Sequence, residues 1–117
     1  MSGRPYRVPF VRRCHVTFGT GQVRSSFTVN INAQGVYLAD DTMPTIGEML
    51  LVRFRTAGSE HEVTARGVAA WLNPNQAHRV HSLPPGYGLQ FVDLPEPGRS
   101  LVDRVVEEYL ARNPPRN

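Results

Sequence analysis

Lysine is missing from this chain altogether, and cysteine occurs once, as Cys14. A single thiol forms no internal disulfide and builds no zinc site from thiolates. The expectation is therefore a reducing, cytoplasmic setting. No apolar run approaches the roughly 18 residues of a membrane-spanning helix, so no membrane insertion is expected. Met1-Ser2-Gly3-Arg4-Pro5 carries charge without a following apolar stretch, so no secretory signal is read there. Also missing are GxSxG, a Walker loop and HExxH. Four aspartates and six glutamates fall mainly at turns and near the C-terminal end. The expectation is a protein that is not an enzyme and has no cofactor.

With 117 residues the chain fits one domain, since domains run to roughly 100–200 residues. All 13 basic residues are arginine and the net charge is +3. The always-charged guanidinium fork suits phosphates and guanine edges, which a lysine ammonium does not match. Arg4, Arg7, Arg12 and Arg13 crowd the start of the chain, with Tyr6 and Phe10 between them. Two readings are open for this cluster. One is a set of solvated charges guarding a strand edge, which suits Arg13; the other is a clamp on an anionic ligand.

Alternation with period two then dominates. Cys14, Val16 and Phe18 oppose Arg13, His15 and Thr17, and Phe27, Val29 and Ile31 oppose Thr28, Asn30 and Asn32. Because neighbours on a strand point to opposite faces, Cys14 and His15 cannot share a proton, and Cys14 reads as a buried structural residue. Val36-Tyr37-Leu38 is a short apolar run. Leu50, Val52 and Phe54 alternate with Leu51, Arg53 and Arg55. A long run from about 60 to 72 contains Gly67, read as a bulge where a barrel bends. Residues 73–86 form a long polar loop holding His78 and His81, a spacing too weak to predict a metal site. Residues 87–92 are the last strand. Leu101, Val102, Val105, Val106, Tyr109 and Leu110 then recur at helical spacing, and Asn113-Pro114-Pro115 stops the helix. The pattern predicts a small, mainly β antiparallel barrel followed by one α-helix. Its parts are a flexible basic segment at 1–10, the barrel and helix at 11–112, and a tail at 113–117. Phe18, Phe27, Phe54 and Phe91 are placed on the apolar sides of their strands. They therefore read as core and not as a base-stacking row, and no nucleic-acid partner is expected.

Arg7-Val8-Pro9-Phe10, then Asn30-Ile31-Asn32-Ala33-Gln34-Gly35 leading into Val36-Tyr37-Leu38, resemble the PilZ domain. So do the long strand closing on Trp71 and Tyr87-Gly88-Leu89-Gln90-Phe91 before a helix. The likeness covers about residues 4–111 and is nearest to short stand-alone PilZ proteins of gliding bacteria. It implies a six-stranded antiparallel PilZ-type β-barrel with a C-terminal α-helix. It also implies a signalling protein that binds the second messenger cyclic di-GMP and acts on a motility or envelope protein partner. The family's motifs, RxxxR and [D/N]xSxxG, place the ligand on Arg4, Arg7, Asn30, Asn32 and Gly35. Here the arginines are spaced RxxR, and Asn32 stands where the family has serine. These departures leave a second reading open: an adaptor that does not bind cyclic di-GMP and works through protein contacts alone.

Overall fold

A computed structural model of the chain describes residues 7–75 and 83–114. The elements in chain order are β1 (Val8–Pro9), β2 (Arg13–Thr17), β3 (Val23–Asn32), β4 (Gly35–Ala39), β5 (Met49–Arg55), β6 (Glu62–Asn73), β7 (Gly86–Asp93) and α1 (Gly98–Arg112). Every strand pairing is antiparallel. The sheet runs β3-β2-β5-β6-β7-β4 and closes when β4 returns to β3, with the short β1 added beside β3. This is a six-stranded antiparallel barrel with one extra strand and one helix. Val8, placed by the sequence in the lead-in 1–10, pairs with Ile31 and is fully buried. No helix among the described residues is long and apolar enough to cross a membrane.

The barrel is filled by the alternating apolar residues of its strands. Cys14 and Val16 from β2, and Leu50, Val52 and Phe54 from β5, are all buried as the alternation predicts. So are Val63, Ala65 and Leu89. The long strand β6 bends at Gly67, where the pairing with β7 slips, as expected, and slips again between Ala69 and Trp71. The helix covers the barrel, with Val102 fully buried and Leu101, Val105, Val106 and Tyr109 packed on the core. The Asn113 backbone N–H and side-chain amide both donate to the Tyr109 carbonyl, at 2.9 and 3.0 Å, and end the helix.

The strand β3 departs from the expected pattern. Phe27, expected inside, is 46% exposed, while Ser26 and Thr28 point inward and are buried. A bulge at Val29 in the pairing with β4 shifts the phase, so that Ile31 returns to the core. The reason lies in polar partners remote in sequence. The Ser26 hydroxyl donates to the Asp40 carboxylate at 2.6 Å. The Thr28 hydroxyl donates to the Phe10 carbonyl at 2.7 Å and accepts from the Arg12 N–H at 2.9 Å. Phe27 instead lies on the outer surface under Arg13, whose guanidinium carbon is 5.2 Å from the ring centre. Arg13 pairs with Phe27 of β3, and the pairing of β2 with β5 begins only at His15.

Asp40 caps this arrangement where β4 ends. Its carboxylate accepts two bonds from Arg24, at 2.8 and 3.0 Å, one from Ser26 and one from the Thr42 N–H at 3.1 Å. Burial pushes this carboxyl up, but the Arg24 guanidinium and the Ser26 and Thr42 donors outweigh it and hold it at about 2. Nearby, burial pushes the Cys14 thiol up to about 12, with the Asp40 charge adding to the rise, so it stays protonated and unreactive. A carboxyl lowered in the folded state stabilises the fold above its ordinary value and loses that contribution as pH falls through its folded value. The melting temperature should therefore decline as pH falls from 3.8 towards 2. Asp40→Asn should melt several degrees lower at neutral pH and lack this component of the acid decline, read by circular dichroism melts at stepped pH.

Candidate functional site

Three strands present one wall of the outer surface. Tyr37 of β4 pairs with Gly88 of β7, and Gly88 pairs with Trp71 of β6. Directly paired residues share a face, so Tyr37 and Trp71 flank a residue with no side chain. Their rings meet across that gap, with centroids 5.5 Å apart and planes at 45°. Tyr37 is buried beneath and its hydroxyl donates to the Pro84 carbonyl at 2.7 Å. The Asn73 side-chain amide donates to the same hydroxyl at 3.1 Å and to the same carbonyl at 3.3 Å. Trp71 lies on top, 42% exposed. It is an aromatic face held rigidly from below.

Trp71 forms one side of an open cavity of about 850 Å³, whose wall also includes Arg7, Asn32, Gln34, Gly88 and Gln90. The β3–β4 turn sets the opposite side. The Asn32 side-chain oxygen accepts from the Gln34 N–H at 2.8 Å and from the Gly35 N–H at 3.0 Å, fixing the turn. The Gln34 carbonyl accepts from the Phe91 N–H at 2.8 Å and ties the turn to β7. Gly35 is buried against Gln90 in the pairing. A Cβ at this position would press on the Leu89 carbonyl oxygen and come within 2.8 Å of Arg7 Nη2. The bare backbone of Gly35 is what lets the Arg7 guanidinium lie at the cavity wall.

The five sequence-predicted residues are thus only partly gathered. Arg7 and Asn32 line the cavity, and Gly35 lies directly against Arg7. Asn30 pairs with Pro9 and Tyr37, off the cavity wall, and its side-chain oxygen is buried and accepts no hydrogen bond among the described residues. Arg4 lies outside the described residues, as do His78 and His81. Reasoning from the sequence missed Trp71, Gln34 and Gln90 as wall residues. The only signal for Trp71 was that the chain's single tryptophan sits on a strand whose partner carries glycine.

Gly35→Ala should cost about 1–3 kcal/mol, because the added methyl overpacks backbone. That corresponds to a drop of roughly 4 °C in melting temperature per kcal/mol for a domain of this size. An unchanged melting temperature would show that Arg7 and Leu89 do not close on Gly35 as described.

A family model described as the PilZ domain matches residues 3–108. No curated protein matches the chain. Among solved structures, the chain is similar to one described as the Bacillus subtilis inhibitor of motility, MotI/DgrA, with a TM-score of 0.72 and 19% sequence identity. That likeness covers 99% of this chain and 55% of the other, so this chain spans about half the length of that neighbour. At such low identity the neighbour speaks for the fold alone, and its barrel agrees with the one described above. The family match covers most of the sequence: this chain belongs to the PilZ domain family.

Proposed function

We propose that this PilZ protein is a cytoplasmic regulatory adaptor, not an enzyme, that takes cyclic di-GMP in the cavity beside Trp71 and acts on a protein partner in motility or envelope function. The observation that carries the reading is the position of Arg7 and Asn32 on the wall of that one cavity, with Gly35 pressed against Arg7. Cyclic di-GMP offers two phosphates and two guanines. Arg7, with Arg4 beside it in sequence, supplies guanidinium forks for phosphate oxygens and for guanine O6/N7. Trp71 offers a face for a base to stack on. The motility side of the reading takes support from the structural neighbour, described as an inhibitor of motility.

One observation favours the second reading, an adaptor independent of the ligand. The Asn32 side-chain oxygen is engaged by two backbone N–H groups of its own turn, so it acts as a turn staple at the position where the family has serine. Titration calorimetry separates the two readings. Cyclic di-GMP should bind the native chain and quench Trp71 fluorescence, and Arg7→Ala should weaken binding roughly tenfold or more, as expected for lost bonds from a charged group. Absence of heat with ligand on the order of 100 μM would leave only affinities too weak for a receptor and would favour the ligand-independent adaptor.

A further inference from the structure

A second depression lies away from Trp71, between the entry segment of the barrel and the C-terminal helix. It is a groove of about 310 Å³. Its floor is apolar, made by Phe10 against Leu101, Val105 and Tyr109, all partly buried. On its lip Val11 is 71% exposed and extends the apolar surface of the floor. Its rim carries Arg12, Arg104 and Arg112 against a single carboxylate, Glu108. Among the described residues none of these four joins an ion pair within 4.0 Å. The groove therefore combines an apolar floor, an excess of positive charge and cations that join no ion pair among the described residues.

We propose that this groove is the output surface of the adaptor, and that its occupant is an acidic amphipathic segment of a partner protein. Apolar side chains of that segment lie on Phe10, Leu101 and Val105, and its carboxylates meet Arg12, Arg104 and Arg112. A single-stranded nucleic acid fits less well. Bases stack on exposed aromatic faces, whereas the two aromatics of this floor, Phe10 and Tyr109, are partly buried and packed on the core, and Glu108 sets a negative charge on the rim where phosphates would run.

The wall of the groove is also held firmly. The Phe10 N–H donates to the Val29 carbonyl, the Thr28 N–H donates to the Arg12 carbonyl, and the Thr28 hydroxyl bonds Phe10 and Arg12. Phe10 follows Arg7 by only two intervening residues, Val8 and Pro9. The same short segment therefore forms part of both depressions. A ligand that shifts Arg7 would shift the groove wall, and by linkage the partner would alter ligand affinity by the same factor. The proposal rests on the adaptor half of the function stated above and does not need the nucleotide half.

The test is a nitrogen-15 NMR titration of the full chain with a synthetic peptide of about 14 residues, leucines at helical spacing and glutamates between them. A matched peptide with lysine for glutamate, and oligo-thymidine, serve as competitors. The expected result is shifts at Phe10–Arg12 and Leu101–Arg112 with the acidic peptide alone. Arg104→Glu with Arg112→Glu should weaken it by about tenfold, a loss of about 1.4 kcal/mol, and flatten its salt dependence, as expected of rim charges. Arg99→Glu, on the same helix but outside the groove, should leave binding unchanged and so controls for net charge. Equal binding of the lysine peptide, shifts centred on Trp71, preferential binding of oligo-thymidine, or no shifts at about 1 mM peptide, where even weak recognition registers, each overturns the proposal. Cyclic di-GMP is titrated separately. Its failure to bind would remove the receptor reading while leaving the groove result standing.

Discussion

Closure of the sheet through β3 is the constraint on which the other features rest. This strand pairs with β4 along one edge and with β2 and then β1 along the other. Closure leaves the barrel strands without an open edge, the usual route to unwanted strand addition. It also requires one strand to face a filled interior along a long, curved path. The bulge at Val29 meets that demand, and Ser26 and Thr28 turn inward on the near side of it. Those two inward hydroxyls hold Asp40 and the Phe10–Arg12 segment. Both the end of β4 and the entry to the barrel are thereby located by one irregular strand.

How much of this the sequence revealed depends on where each residue's partners lie. The alternation in β2 and β5 was legible, because their apolar residues meet the barrel interior with no competing bond. The helical stripe ending at Asn113 was legible for the same reason. The inward turn of Ser26 and Thr28 was not, since their partners, Asp40 and Phe10, lie 14 and 18 residues away. Placing Phe27 in the core followed the hydrophobicity rule faithfully and failed there, where polar pairing decides the phase. Arg7, Asn32 and Gly35 came from motif likeness, and the fold brings them together. Trp71 as a wall residue was hidden because its role depends on Gly88 and Tyr37 across two neighbouring strands.

The charges divide by role. Asp40 is enclosed and fully engaged, and its field helps to keep Cys14 protonated, while burial together with the same field raises Tyr87 above its usual range. Arg7, Arg12, Arg104 and Arg112 stand instead at the walls of the two depressions. An all-arginine complement suits this division. Its charge does not titrate away near neutral pH, and its long fork reaches close backbone, as Arg7 does at Gly35.

The bonding of Tyr37 to Pro84 and Asn73 has a consequence for how the chain tolerates change in length. One phenol and one amide fasten the point where β6 ends to the residues just before β7 begins. With both anchors fixed by the barrel, extra residues between them need only close a longer arc. Each doubling of such an arc costs about 0.6 kcal/mol in chain entropy. The connection between β6 and β7 is therefore a place where new sequence can be grafted, a peptide tag or a binding epitope included, while the barrel that carries it keeps its register.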